Sequence, residues 1–428
     1  MLESEGNAVI KPKRMILLDV LMACWGMSTW LGVNGMYVQL PLLVQELPEG
    51  WALPTSMTVA VSSANIGLIV YAALRRVVPR VLDSHYILGL LVTVTLSLFI
   101  NAFVYTETAV VGTTERSVAF LILTFFVALV GCTSSVLFYP YLRHFRDIYL
   151  ATYLVGEGLS GFLPSIIALI QGASGAPECI PSTDNTTIEA HYPPPRFEPK
   201  VFMLLLSGLA VISVVSFVFI DKTEKFSSEK NSKAIENHGS SEELKEKEPE
   251  GSEDEHSWYH PRWISLTILV VVLNALSNGA MPSIQSYSCM PYGNDVYHLA
   301  VTLSTMANPT ACLVGVWLLA SPRLLASLLL LAGLPFGFIL STALMSPTPP
   351  LIDTAGGDAL VVMSWVILTA VISYSRMWTL SLGRHGGVGV MRSLGAFCQL
   401  GSLVGSLTLF AIVNYTDTFI QAPACPAL

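Results

Sequence analysis

The stretch TWLGVNGMYVQLP, Thr29–Pro41, runs through an apolar segment near the start of the chain. A helix facing lipid wants Leu, Ile and Val, yet this one carries Asn34, Gln39, two glycines and a proline. Glycine costs a helix about 1 kcal/mol and proline about 3 kcal/mol relative to alanine. Amides together with helix-weakening residues in an otherwise apolar run point to a helix that deforms and turns a polar face toward the protein interior.

The pattern recurs. NGMYVQ, Asn34–Gln39, has a counterpart in NGAMPSIQ, Asn278–Gln285, with Pro41 near one and Pro282 inside the other. The following apolar segments carry SAN (Ser63–Asn65) and MAN (Met306–Asn308). The two asparagines lie 31 residues apart in the first copy and 30 in the second. Both Asn-Gly segments are expected to run in the same direction. Parallel repeats of this kind are the major-facilitator plan, and interrupted segments at matching positions mark a transport site.

The rest of the chain fits a membrane setting. Of its 428 residues 53% are hydrophobic and 12% charged, against about 25% charged in soluble domains. A spanning helix needs about 20 apolar residues. Eleven such spans are expected, roughly 16–43, 55–75, 85–105, 117–139, 148–170, 201–220, 263–287, 296–319, 324–344, 358–380 and 393–414. The first follows Lys11, Lys13 and Arg14 like a signal peptide, but is too long for a cleaved one. The fold class is therefore an all-α polytopic membrane protein with a 6+5 pseudo-repeat. Residues 1–220 form a six-helix bundle, 221–262 a linker and 263–428 a five-helix bundle. Within the linker, residues 221–257 hold 12 acidic and 6 basic side chains and few aromatics, a composition that does not fold.

Charge sets the orientation. With the N-terminus inside, 19 of the 22 Lys and Arg residues fall in inner segments and only Arg116, Arg196 and Lys200 outside. That is a strong positive-inside bias. The glycosylation sequon at Asn185 falls outside by the same rule. A second, Asn414–Thr416, lies too near the bilayer for use. Cys179, Cys289 and Cys425 fall in outer segments, and two of them could pair. Which two is open.

Several strings resemble the riboflavin transporter family of solute carriers: VNGMYVQLP, QELPEGWALP (Gln45–Pro54), GEGLSGFLP (Gly156–Pro164), NALSNGAMPSIQSYSCMPYG (Asn274–Gly293), YHLAVTLSTMANPTAC (Tyr297–Cys312) and QLGSLVGS (Gln399–Ser406). They cover most spans in order and leave the linker and loops unmatched. The resemblance implies riboflavin uptake across the plasma membrane by an eleven-helix carrier, with a fold similar to the equilibrative nucleoside transporters. Some family members carry a Cys in the loop before span ten. This chain has SPTPP there from Ser346, so Cys425 has no such partner.

Riboflavin is neutral, and its isoalloxazine edge alternates acceptors with an imide N–H. Asn and Gln each present one acceptor and a two-proton donor, and aromatic faces suit the flat ring. The candidate substrate-binding residues are Asn34, Gln39, Asn65, Glu157, Asn278, Gln285, Asn308 and Gln399, with Trp30, Tyr37 and Tyr287. Asn274, Tyr139 and Tyr141 are further polar groups in spans. Each amide could instead bond freed backbone or a neighbouring helix, and each aromatic could be packing or interfacial belt. Glu157, the most central acid, is expected either to meet the substrate or to make uptake pH-sensitive. Arg376 and Arg392 are expected near inner ends, leaving no deep cation for a phosphate.

The remaining readings are weaker. GEGLSG, Gly156–Gly161, matches G-x-G-x-x-G but lies inside a span with no βαβ unit. Its glycines suit close helix packing. No Walker sequence, CxxC pair, basic groove or paired catalytic residues occur. The expectation is a carrier without cofactor, metal, enzymatic activity or nucleic-acid partner, whose partners are riboflavin and the lipid bilayer. The runners-up are a nucleoside-like carrier and a receptor without flux. Oligomeric state is not legible.

Overall fold

The computed structural model describes residues 14–78, 81–172, 178–181, 188–223, 226, 261–317, 322–383, 387–423 and 425. Asn185 and most of the acidic linker lie outside these residues. The first crossing is broken as its sequence demands. Helix α1 (Ile16–Gly26) ends where Ser28 and Thr29 donate to the carbonyls of Trp25 and Gly26, at 2.7 and 2.9 Å. Helix α2 (Leu31–Val38) sets off at 52° to it, and α3 (Leu40–Glu46) follows with Pro41 in its first turn.

A 3₁₀ turn, Gly50–Ala52, leads into α4 (Leu53–Ser63) and α5 (Ile66–Val77). Helix α6 (Asp83–Val104), the hairpin β1–β2 (Ala109–Val111, Thr114–Arg116), α7 (Val118–Leu142) and α8 (Asp147–Gln171) come next. The hairpin β3–β4 (Glu178–Pro181, Ile188–His191) and α9 (Pro199–Lys222) complete the first half. Both hairpins are antiparallel. The second half opens with α10 (Pro261–Asn274), a π-helical turn (Ala275–Ala280) and α11 (Met281–Cys289). It continues with α12 (Asn294–Trp317), α13 (Pro322–Leu344), α14 (Ala355–Gly383) and α15 (Gly387–Tyr415). Cys289 closes α11 and is fully buried.

Among the described residues nine helical stretches are long and apolar enough to cross a bilayer, and the bent pair α1–α2 makes a tenth. Helix α12 is not among them. It carries His298, Thr302, Ser304 and Asn308 and packs between α8 and α14, so it has less need of an apolar surface. Elsewhere the outer surface is apolar: Leu330 is 81% and Leu334 75% exposed. Such a surface suits lipid.

Packing explains the interior. Trp25 lies within 5.0–5.6 Å, centroid to centroid, of Phe138, Tyr141, Tyr153 and Phe217, tying α1 to α7, α8 and α9. Glycines let helices touch backbone to backbone. A Cβ on Gly156 of α8 would fall 2.0 Å from the Ala23 carbonyl oxygen of α1. A Cβ on Gly405 of α15 would fall 2.5 Å from the Ala275 carbonyl oxygen. Helix α1 thus packs tightly on α8 in the first half, and the π-helical turn on α15 in the second. Across the halves, α8 packs on α12 and α15 on α4.

A disulfide joins Cys179 of β3 to Cys425, with Cα atoms 5.8 Å apart. It links the two halves covalently at the end of the bundle that carries α3 and both hairpins. Cleavage at a protease site inserted near residue 240 should therefore leave the fragments as one band on a non-reducing denaturing gel and two after reduction. Two bands without reductant would contradict the pairing.

Candidate functional site

Asn34 of α2 donates from Nδ2 to Ser160 Oγ of α8 at 3.3 Å. Asn278 of the π-helical turn donates from Nδ2 to Ser402 Oγ of α15 at 2.9 Å. Asn34 lies within the short helix that follows the break and Asn278 in the π-helical turn, and each addresses a serine within its own half, on α8 and α15. Proline accounts for the irregularity in the second half. Pro282 has no N–H for the carbonyl four residues back, that of Asn278. The Ser406 hydroxyl donates to this freed oxygen at 3.4 Å.

Ser406 also reaches the first half, lying 2.9 Å from Ser62 Oγ of α4. Asn65 donates to the Ser62 carbonyl at 2.9 Å, and its buried Oδ1 has no partner among the described residues. A polar string therefore runs Asn65–Ser62–Ser406–Asn278–Ser402 across the seam between α4 and α15. The opposite seam, α8 against α12, is built alike. A Cβ on Gly161 would lie 3.4 Å from the Thr305 carbonyl oxygen and 3.6 Å from Asn34 Nδ2. Pro309 frees that Thr305 carbonyl. Asn308 follows, with its Oδ1 4.0 Å from Cys312 Sγ.

Other predicted residues line or flank the space between the seams. Glu157, one turn from Ser160, accepts from the Tyr139 hydroxyl at 3.4 Å. Trp30 lies flat over Gly131 of α7, where a Cβ would fall 2.8 Å from its ring. Asn34, Asn278, Asn308, Gln399, Glu157, Trp30 and Tyr37 are all partly exposed. Gln39, Gln285 and Tyr287 are placed differently, buried at the disulfide end. Gln39 donates to Gln171 Oε1, and Tyr287 packs between Trp51 and Phe419. Asn274 is buried and bonds the Val270 carbonyl, and Tyr141 donates to Asp221.

Sequence reasoning missed several groups. Arg376 was expected near an inner end, and it lies seven residues before the end of α14 at Gly383. Its Nη1 donates to Ser277 Oγ at 3.0 Å, beside Asn278. The serines at 62, 160, 402 and 406 gave no signal, because serine is common in spans and their partners are distant in sequence. Among the described residues no cluster of three His, Cys, Asp or Glu side chains could hold a metal. A pocket of about 580 Å³ between Phe162, Met306, Leu328 and Met363 is lined almost wholly by apolar atoms and opens on the outer surface. It offers no hydrogen bonds to a polar solute.

The space between the seams is closed at the disulfide end. There Ser286 donates to the Trp51 carbonyl at 2.6 Å, the Trp51 amide donates to Gln421 at 3.1 Å, and His298 bonds the Ala168 carbonyl at 3.0 Å. At the N-terminal end the charged contacts stay within the first half: Arg14 with Asp19, Arg75 with Asp83, Tyr141 with Asp221. Between described residues, the hydrogen bonds that cross between halves lie at Ser62–Ser406 or nearer the disulfide end. Helix α5, at the other end, buries no residue. The described hydrogen bonds between the halves thus gather toward the disulfide end of this cleft.

Gly405→Val should lower the thermal midpoint of the purified protein, since overpacking costs about 1–3 kcal/mol. Gly333→Val, where a Cβ meets nothing within 4 Å, should leave it unchanged. Equal effects at both sites would contradict the close approach of α15 to the π-helical turn.

Comparison with known proteins gives the same architecture and more. The solved transporter structures are similar in fold alone. The POT family transporter PepTSo has a TM-score of 0.60 at 11% identity, covering 95% of this chain and 91% of its own. The xylose transporter XylE from E. coli, in a partially occluded inward-open conformation, has a TM-score of 0.56 at 14% identity, covering 94% of each chain. Sequence relatives span the whole length. Riboflavin transporter 2 of Salmo salar is 34% identical, covering 96% of this chain and 99% of its own. The human solute carrier family 52 riboflavin transporter, member 3, is 35% identical, covering 96% and 98%. The family model described as solute carrier family 52, riboflavin transporter, matches residues 14–421. The chain belongs to the riboflavin transporter family of solute carriers.

Proposed function

We propose that this protein takes riboflavin into cells across the plasma membrane by alternating access. The observation that carries the reading is the family match over residues 14–421, which includes both seams. The protein is a transporter and not an enzyme, and the substrate crosses unchanged. In this reading the chain crosses eleven times, with α12 as the crossing expected at 296–319. Six crossings precede the linker at 221–262 and five follow it. Matched partners support the repeat: Asn34 with Ser160 in one half, Asn278 with Ser402 in the other. The N-terminus is cytoplasmic and the C-terminus extracellular, as the Lys and Arg distribution requires. A disulfide at the opposite end from the N-terminus agrees, because disulfides persist in oxidising compartments.

Asn34, Asn65, Asn278, Asn308 and Gln399 supply amide donors and acceptors for the substrate, with Glu157 on one wall. Gln39, Gln285 and Tyr287 meet it when the disulfide end opens. The charge balance favours a neutral solute. A phosphate dianion would meet one guanidinium, Arg376, and one carboxylate, Glu157, so FMN should be carried far less well than riboflavin.

Labelled riboflavin should enter cells expressing this chain faster than control cells, with lumiflavin suppressing entry and uridine leaving it unchanged. Suppression by uridine in place of lumiflavin would favour a nucleoside carrier, and binding without entry a receptor. Where the wild-type rate varies with pH, Glu157→Gln should flatten the curve. An unchanged curve removes Glu157 as its source.

A further inference from the structure

Arg376 stands apart from the other charged groups of the protein. The remaining described cations with ion-pair partners, Arg14, Arg75 and Lys222, lie at the ends of the helix bundle. Arg376 lies within the second half, on α14, with its Nη1 held by Ser277 of the π-helical turn. Among the described residues no carboxylate comes within ion-pair distance of it. A guanidinium has five N–H donors, and the Ser277 bond uses one. Neighbouring groups place it at the cleft. Its partner Ser277 adjoins Asn278, whose amide holds Ser402 of α15 at the seam, and Gly315 of α12 packs against Met377, the next residue of α14. Helices α10 to α15 thus bring a partly exposed cation to the space that Glu157 faces from the first half.

An unpaired cation in a membrane protein is costly and marks a pathway or a site. The established groups around it do not explain it, since amides alone would serve a neutral ligand. A guanidinium is planar and presents parallel donors to two acceptors in one plane. On the isoalloxazine ring that arrangement of acceptors is the C2 carbonyl with N1, where the ring's electron density is greatest. The ribityl hydroxyls offer no such fixed planar pair. We propose that Arg376 is a specificity-determining contact whose free N–H groups bind the C2-carbonyl and N1 edge of the flavin, oriented by Ser277. The assignment rests on riboflavin as substrate.

The test is binding to the purified full chain, read by quenching of flavin fluorescence, with riboflavin and lumiflavin as ligands. The two share the ring and differ in the ribityl arm. Arg376→Gln should weaken both by the same factor, about ten- to hundredfold, as expected for a hydrogen bond to a charged group. Arg376→Lys should recover part of the loss for both, because it keeps the charge and not the fork. Should the Gln variant not fold, the Lys variant decides, and it must weaken both ligands in parallel. Unchanged affinity in the variants, or a loss confined to riboflavin, overturns the assignment. A wild-type chain that binds neither flavin overturns the riboflavin reading and this contact with it.

Discussion

In hydrocarbon a backbone carbonyl released from its helix ladder costs several kcal/mol unless another donor takes it. Pro282 releases the carbonyl of Asn278, and the Ser406 hydroxyl takes it. That requirement fixes much else. Ser406 must lie on a helix close enough to reach, so Gly405 must lack a side chain where α15 meets Ala275. The irregular turn then holds Asn278 with its amide on Ser402 and its neighbour Ser277 on Arg376. A proline that looks like a defect in the sequence is the reason the polar groups converge. Pro309 frees the Thr305 carbonyl beside Gly161 on the opposite seam by the same logic.

The two ends of the cleft differ in what would have to break for it to open or close. At the disulfide end the seal combines hydrogen bonds, the Trp51–Tyr287–Phe419 ring stack and a covalent link through Cys425. Residues 419–421 run through that seal, with Phe419 on Tyr287, Ile420 accepting from Ser346 and Gln421 on Trp51. At the other end the halves share no described hydrogen bond, and α5 stands exposed. Alternating access is then an exchange of these contacts about the two seams. The seams carry small residues, Gly161, Ser62 and Ser406, on which helices can rock without large side chains interlocking.

Much of the membrane character was legible from composition and charge alone. The Asn-Gly and Pro recurrence picked out the π-helical turn of the second half, while the 52° bend of the first half falls at 27–30, before Asn34; Asn34, Asn65 and Asn278 lie at the seams. Helix α12 was expected as the span at 296–319, although its mean hydropathy alone does not mark it as a crossing. Other features were hidden for identifiable reasons. The partner of Arg376 was hidden because Ser277 lies 99 residues away in sequence. Gln39, Gln285 and Tyr287 share the composition of cavity residues, yet they lie in the closed end, and only three-dimensional packing separates the two roles. Which two of the three outer cysteines pair was open until the chain path brought β3 beside the C-terminal residues.

The central claim is that the two halves meet along matched polar seams that border one shared cleft. It is tested most directly by oxidative cross-linking of Ser62→Cys with Ser406→Cys in a chain cut within the linker and lacking Cys425. The hydroxyl oxygens lie 2.9 Å apart, so the account predicts that oxidation joins the two fragments. Fragments that stay separate, while singly placed cysteines at both positions react freely with a thiol reagent, would contradict it.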